Sequence, residues 1–488
     1  MTGPHPAAHC ALSMARWDED RFLRTRREVL GAWPTGAQVD LDEACDFHRS
    51  LPPEQNTAWR LRKARAEGRT LVQPRAGVAD IEQHITLLQD LRRAGADLLP
   101  TTVDSYTREC RYADAERGLA QSREAGRSLL NGLPAVNYGV HECRRIARAV
   151  DAPLFARTAS PDCRLTLDIL YASGFTSCTA GPVVFSLGYA KDFPLAKAID
   201  SWQYSYRMMG AMHERGVTVS VEHYLPISTL VPQSTSMACV ILDSLIAAAQ
   251  GVRDISMGIG QQCHLAQDAA ALRAYPALGR HYLDAMGFKD VALSTVMSQW
   301  MGGFPPDEGQ AFAVICMAAL AGYLGGVTYM ISKSPHEAIG VPTPQANAHG
   351  LTASKMVLRM LADQQLAPIA EIAAEQALIE AETRAIVDRA LELGEGDAAL
   401  GAVRAIEAGV IDVPFSPHRM NANRALPARD WRGAVRLAQF GGVPIPKEIR
   451  EHHEDQLARR TAGRPRREPW ELLLADVNAI ADGVLLPD

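Results

Sequence analysis

From about residue 55 to residue 335 the chain alternates short apolar or β-branched runs with longer amphipathic segments, the pattern of βα units around a parallel sheet. The strand-like runs are TLVQP (70–74), DLLPTTV (97–103), SLLNG (128–132), PLFAR (153–157), FTSCT (175–179), VTVSVEHY (217–224), DISMGI (254–259), DVALSTV (290–296) and VTYMIS (327–332). Nine runs compete for the eight places of a (β/α)8 barrel, and the short SLLNG is the one expected to be irregular. The fold class predicted is α/β, a TIM barrel with an N-terminal helical lead-in and a C-terminal helical and hairpin extension.

The flanks divide the chain further. Residues 1–16 read as a disordered tail within which Met14 is an alternative start, 17–54 as the helical lead-in, 55–350 as the barrel and 351–488 as the extension. Within the extension, AEIAAEQALIEAETRAIVDRALELG is a charged amphipathic helix stopped by glycine, and WRGAVRLAQFGGVPIP suggests a small hairpin. RRTAGRPRREP reads as a basic, exposed segment, and no internal repeat is present.

Composition narrows the function classes. A net charge of -6, from 50 basic and 56 acidic residues, offers no footprint for nucleic acid. Nine cysteines without a C-x-x-C pair indicate neither a disulfide framework nor a zinc cluster, and place the protein in a reducing, cytoplasmic setting. The uncharged run 311–332 is long enough to span a bilayer, but Gly325 and Gly326 split it into a core helix and the strand VTYMIS, so no membrane is expected.

In a parallel barrel the carboxyl ends of the strands surround the reactive face. Arg75 follows TLVQP, Arg108 lies a few residues past DLLPTTV, and Arg157 closes PLFAR. Any one of them alone is explained by a structural ion pair with an acid such as Asp104 or Asp162. Three together need anionic partners, because an unpaired buried charge is costly. A guanidinium fork grips a carboxylate through paired charge-assisted hydrogen bonds of roughly 1.5–3 kcal/mol each, so three forks suit a small dicarboxylate.

Other polar groups near strand ends are Asn131, Tyr189, Glu222, Gln299 with Trp300, and Lys333 with His336 and Glu337; each is also explained as a hydrogen-bonded core residue. Lys333 beside a carboxylate could form a Schiff base, although a lone strand-end lysine is more often a ligand-binding cation. GIGQQC (258–263) is an incomplete G-x-G-x-x-G without the acidic residue of a dinucleotide site. DFHRSL (46–51) approaches the D-x-H-x-x-G motif of cobalamin-binding domains but has Leu51 where glycine belongs. Both read as accidents.

Longer stretches carry a resemblance: REVLGAWPTGAQVDL, QPRAGV, DSYTRECRY, GRSLLNGLPAVNYGV, WQYSYR, QWMGGFPPDE, KSPHEAIGVPTPQANAHG, RAIEAGVIDVPFSPHRMNA and LPARD, from Trp17 to Pro446 in one order. In these the chain resembles the large E (epsilon) subunit of adenosylcobalamin-dependent glutamate mutase, also called methylaspartate mutase. The resemblance implies a barrel whose substrate is held by an arginine claw of Arg75, Arg108 and Arg157, with Tyr189 and Phe185 beside it and Thr179 and Tyr189 at the catalytic positions. It implies that Gly77, Thr102, Asn131, Tyr224, Lys333, Glu337 and Val341 line the cofactor space, Lys333 and Glu337 on the adenosyl ribose or adenine, and that this chain supplies no metal ligand.

The corrin would be carried mainly by a separate small S subunit with the D-x-H-x-x-G motif, docked over the barrel mouth, and this chain would form a homodimer within a heterotetramer. The implied reaction is a radical carbon-skeleton rearrangement interconverting L-glutamate and 3-methylaspartate, for which the protein orients the pieces and excludes solvent. Three departures matter: Thr179 stands where the family has a glutamate that contacts the substrate ammonium, Phe185 where it has tyrosine, and Thr158 where it has histidine. They open two alternatives, a mutase acting on a dicarboxylate without the amino group, such as a 2-oxo acid, and a non-catalytic dicarboxylate-binding relative. A third reading is an unrelated barrel lyase that uses Lys333.

Overall fold

Eight of the nine apolar runs become strands of one parallel sheet. In the computed structural model, which describes residues 12–340, 343–364, 366–463 and 467–487, these are β1 (Leu71–Gln73), β2 (Leu99–Thr102), β3 (Leu154–Arg157), β4 (Ser177–Ala180), β5 (Ser220–His223), β6 (Asp254–Gly260), β7 (Ala292–Ser298) and β8 (Tyr329–Ile331). They are ordered β1-β8-β7-β6-β5-β4-β3-β2, every pairing parallel. The two edge strands approach one another through two backbone hydrogen bonds outside any ladder, Asp97 N to Val72 O at 3.0 Å and Thr102 N to Ala76 O at 2.7 Å, so the sheet is a nearly closed barrel. At least one helix follows each strand, from Ile81–Arg93 after β1 to Pro344–Ala362 after β8.

SLLNG forms no strand. Only Leu133, just beyond it, makes an isolated parallel bridge to Val103. A Cβ on Gly132 would lie 2.4 Å from the Thr102 carbonyl, so the segment passes too close to the end of β2 to sit at strand spacing.

The apolar run 311–332 divides as expected into the helix Glu308–Gly325 and β8. That helix is long and apolar enough to cross a membrane, yet it packs between Leu265–Ala285 and Pro344–Ala362 in the barrel's outer ring and buries Ala311, Ile315, Ala318 and Gly322. The lead-in is helical, with Glu19–Leu30 and Leu41–Ser50. It is clamped to the barrel where buried Arg26 pairs with Asp168. His48 of DFHRSL donates from Nε2 to Tyr171 O at 2.7 Å, and burial holds its imidazole down at about 4, so this histidine is structural.

In the extension the hairpin forms with its first arm earlier than expected: β9 (Leu426–Arg429) pairs antiparallel with β10 (Val435–Gln439). Asp430 fixes the turn by accepting from Arg432 N and Ala434 N, so Trp431 lies in the turn rather than in a strand. The basic run is not all exposed either. Arg460 is buried against Asp476 at 2.6 Å, while residues 464–466 lie outside the described residues.

Candidate functional site

The carboxyl ends of the strands and the segments that follow them set the mouth of the barrel. Arg157 ends β3, where strand alternation turns its side chain into the interior, over the Phe155 ring at 4.5 Å. Its guanidinium is fully engaged at the tip. Nη1 donates to Thr179 Oγ1 at 3.0 Å and pairs with Glu222, and Nη2 donates to Gln73 Oε1 and to Glu222 Oε2 at 3.3 Å. Tyr329 donates its hydroxyl to the same Glu222 oxygen at 2.7 Å. Burial opposes the charge on Arg157, but Glu222 together with the phenols of Tyr224 and Tyr329 outweighs it, and the guanidinium is held above its ordinary range.

The partner of Arg157 is therefore neither Asp104 nor Asp162. Asp104 caps the one-turn helix Ser105–Arg108 by accepting from Tyr106 N and Thr107 N, and Asp162 pairs with Arg164 at 2.7 Å. Two buried donors in the interior network, Arg157 Nε and Gln73 Nε2, have no partner among the described residues.

Arg75 and Arg108 are different in kind. Arg75 is exposed two residues past β1, and Arg108 is half-buried at the end of its helical turn. Among the described residues neither forms an ion pair, and Arg108 Nε is a third buried donor without a partner. Burial and the neighbouring charge of Arg75 lower the Arg108 guanidinium against the pull of Tyr189, Asp104 and Glu109. Two like charges held close without a counter-ion make a site for an anion.

Tyr189, half-exposed at 52%, ends the helix Pro182–Tyr189. Partial enclosure raises its phenol, while both Arg75 and Arg108 pull the other way. Its ring stacks on Phe185 at 6.3 Å, and Phe185 in turn packs on Trp202. Phe185 is fully buried and offers no surface to the mouth, so it acts on that space by holding Tyr189. The helix itself is fixed at its start, where Asp243 accepts from Val183 N and Val184 N at 3.0 and 3.1 Å. Gly181, at φ 122°, allows this approach, since a Cβ there would lie 2.5 Å from Asp243 Oδ2.

Tyr224 lies between the interior and the rim, its phenol pushed up to about 12 by burial against the influence of Arg157. Thr179 is buried with its hydroxyl taken by Arg157, and Thr158 donates to Thr179 O at 2.8 Å.

Across the mouth, Lys333 follows β8 and pairs with Glu337 at 2.8 Å. Burial and then Arg75 bring the Lys333 ammonium down to about 8, Glu337 opposing. The backbone N–H of Lys333 donates to Gln299 Oε1 at 2.7 Å, which makes Gln299 a support for this rim. Gly77 and Thr102 form the rim between β1 and β2: a Cβ on Gly77 would meet Thr102 Cβ at 2.6 Å, so backbone is presented there. Asn131 is exposed and accepts from Ser105 N at 2.9 Å. Val341 lies outside the described residues.

Together the mouth holds two unpaired guanidiniums, a lysine–glutamate pair and two phenols. A cavity of about 520 Å³ opens beside Arg108 and Tyr189. Another, of about 590 Å³, is lined by Arg65, Arg280, Thr295 and Thr328 at the barrel's opposite, N-terminal end, away from the strand ends where barrel chemistry resides. Among the described residues no cluster of His, Cys, Asp and Glu has the arrangement of a metal site.

Gln73 and Tyr329 are not among the residues the sequence singles out, whereas Glu222 is, as a strand-end polar group also explained as a hydrogen-bonded core residue. The available signal was a carboxylate inside the apolar run VTVSVEHY, which a barrel interior tolerates only opposite a cation.

A family model described as Methylaspartate mutase E chain (MutE) matches residues 51–487. A glutamate mutase epsilon subunit of Desulfitobacterium hafniense (strain Y51) is 47% identical over 471 residues, covering 96% of this chain and 97% of that protein. Proteins of the same name from Treponema denticola and Halobacterium salinarum are 43% and 45% identical, covering 96% and 94% of this chain and 97% and 95% of their own lengths.

Proposed function

Because the chain belongs to the methylaspartate mutase E chain family, we propose that it is the substrate-binding subunit of an adenosylcobalamin-dependent carbon-skeleton mutase, converting a small linear dicarboxylate into its branched isomer in the manner of L-glutamate and 3-methylaspartate. The observation that carries this reading is the pair Arg75 and Arg108, two neighbouring cations at the strand ends of the barrel that form no ion pair among the described residues. Such a reaction exchanges a hydrogen atom and a carbon group within one molecule, so the atoms balance without a co-substrate.

The residues present fit the adenosyl end of the cofactor. Lys333 is a buried ammonium beside the Glu337 carboxylate, a donor and an acceptor at hydrogen-bonding reach of a ribose diol, and Gly77 leaves backbone free for close approach. His48 of the near-motif DFHRSL is buried and tied to Tyr171 O, so it is not available to cobalt; the family reading assigns the corrin to a separate cobalamin-carrying small subunit over the mouth. By the same family reading, two copies of each subunit form a heterotetramer. When bound, the cofactor supplies homolytic chemistry, the removal and return of a substrate hydrogen atom.

The chain's own residues do the rest. Arg75 and Arg108 fix the two carboxylates, which holds the carbon skeleton in one orientation. Tyr189 and Tyr224 wall the space between them, and the Arg157–Glu222 pair closes the interior beneath. Solvent and stray hydrogen donors are kept from the reacting carbons.

The test is reconstitution with adenosylcobalamin and a small D-x-H-x-x-G subunit. Addition of a dicarboxylate should produce an electron paramagnetic resonance signal and a branched isomer detectable by NMR, and both should vanish in Arg75→Gln and Arg108→Gln. Absence of signal and isomer with every four- and five-carbon dicarboxylate, despite binding, would leave a dicarboxylate-binding protein and defeat the mutase reading.

A further inference from the structure

Among the described residues the unmatched side-chain nitrogens around Arg157 and Arg108 are all donors, and the unmatched oxygens are hydroxyls, Ser256 Oγ on the strand beside Glu222 and Thr107 Oγ1 beside Arg108, with one oxygen of Asp104. Arg157 Nε, Gln73 Nε2 and Arg108 Nε are buried donors without an acceptor among the described residues. The carboxylates nearby are already committed: Glu222 is fully buried between Arg157 and Tyr329, and Glu337 is paired with Lys333. Asp104 keeps one unpartnered oxygen, but that oxygen is buried and its carboxyl faces the amides of its own helical turn. Thr179, the cross-strand neighbour of Glu222, contributes a hydroxyl already accepting from Arg157.

An ammonium group carries three donors and a positive charge, so it would meet guanidiniums and neutral hydroxyls with no carboxylate free to receive it. A carbonyl oxygen accepts only. We propose that the substrate of this chain is a small dicarboxylate with no ammonium group, its second carbon bearing an oxo group or hydrogen alone, and that the amino acid of the same skeleton is disfavoured. This rests on the mutase reading above and names the substrate class within it.

Two carboxylates then face the two unpaired guanidiniums, and an oxo oxygen suits the donors Gln73 Nε2 and Arg157 Nε. Selectivity of this origin is large, because an ammonium brought against guanidiniums loses its hydration and gains no carboxylate partner.

The experiment is isothermal titration of the full-length chain with 2-oxoglutarate, glutarate and L-glutamate at one pH and ionic strength. The expected result is at least about tenfold tighter binding of 2-oxoglutarate than of L-glutamate, the change expected for a charged-group hydrogen bond. Thr179→Glu, which supplies a carboxylate beside Glu222, should move the preference toward L-glutamate by about tenfold or more. Gln73→Glu, which turns a donor into an acceptor at nearly constant volume, should move it the same way.

Equal or tighter binding of L-glutamate by the unaltered chain overturns the substrate class. If that binding is accompanied by isomerisation of L-glutamate in the reconstituted complex, the mutase reading stands alone. Binding of none of the three compounds overturns both. The contrast within the unaltered protein decides the matter even if either variant does not fold.

Discussion

Glu222→Gln isolates the cost of leaving Arg157 unmatched. The side chains of Arg157 and Glu222 are 10% and 0% exposed, and Glu222 accepts from both terminal nitrogens of Arg157 and from Tyr329. Glutamine preserves the volume and one acceptor oxygen but removes the charge and presents an amide donor to a guanidinium or a phenol. Removing one member of a buried pair typically costs about 3–5 kcal/mol, because the other is left as an uncompensated buried charge. Arg157 retains Gln73 and Thr179 as neutral partners, which places the expected loss near the lower end of that range.

The assay is equilibrium urea unfolding of four chains: the unaltered protein, Glu222→Gln, Arg157→Met, and Arg157→Met with Glu222→Leu. The double variant should lose less than the sum of the single ones, with a coupling of about 2–3 kcal/mol. The exposed pair Arg93–Asp90, at 72% and 43%, is the internal comparison and should show no more than about 1 kcal/mol. A loss under about 1 kcal/mol for Glu222→Gln, or additive losses in the double variant, would refute the claim that this pair is a mutually dependent buried unit.

Three further outcomes are expected. Lys333 should titrate near pH 8 in competitive acetylation read by peptide mass spectrometry, and lower still in Glu337→Gln, since Glu337 is what holds the proton on; a midpoint above pH 10 contradicts the described burial. Gly77→Ala should cost about 1–3 kcal/mol in unfolding and weaken dicarboxylate binding, because its methyl group would sit 2.6 Å from Thr102 Cβ, and unchanged binding would show that this rim is not part of the site. Burial pushes Asp243 up to about 8, so the folded chain keeps a proton that the unfolded chain releases near pH 4; its contribution to stability is full at low pH and lost as pH rises through 8, and the stability advantage of the unaltered chain over Asp243→Asn should shrink across that window.

The barrel was legible because each strand is a short apolar or β-branched run bounded by helical periodicity, and burial on both faces leaves few other ways to place such runs. SLLNG misled as a strand candidate because a leucine pair looks the same whether it feeds a ladder or plugs a loop, and only the crowding at Gly132, where a Cβ would lie 2.4 Å from Thr102 O, distinguishes them. The hairpin's first arm was misplaced because Asp430 specifies a turn through side-chain acceptance from Arg432 N and Ala434 N, which composition does not reveal.

In the site, the positions of Arg75, Arg108 and Arg157 at strand ends followed from the pattern, but their roles did not. The separation of Arg157 from the other two depends on Glu222, 65 residues away and one strand beyond its neighbour. Local sequence pointed instead to Asp104, four residues before Arg108, and Asp162, five residues after Arg157. Sheet register, not residue type, decides which acid meets which base.

Seven of the eight junctions around the barrel are ladders, and the eighth, between β1 and β2, rests on the two amides of Asp97 and Thr102 and on Val72 N donating to Asp97 Oδ2 at 3.0 Å. Arg75 stands on one bank of that junction and Arg108 on the other. A dianion gripped by both guanidiniums becomes a tie across the barrel's weakest circumference, so occupancy adds stability in proportion to the logarithm of ligand concentration above its dissociation constant. Slowed amide exchange at Asp97 and Thr102 is then a local gauge of whether the barrel is filled.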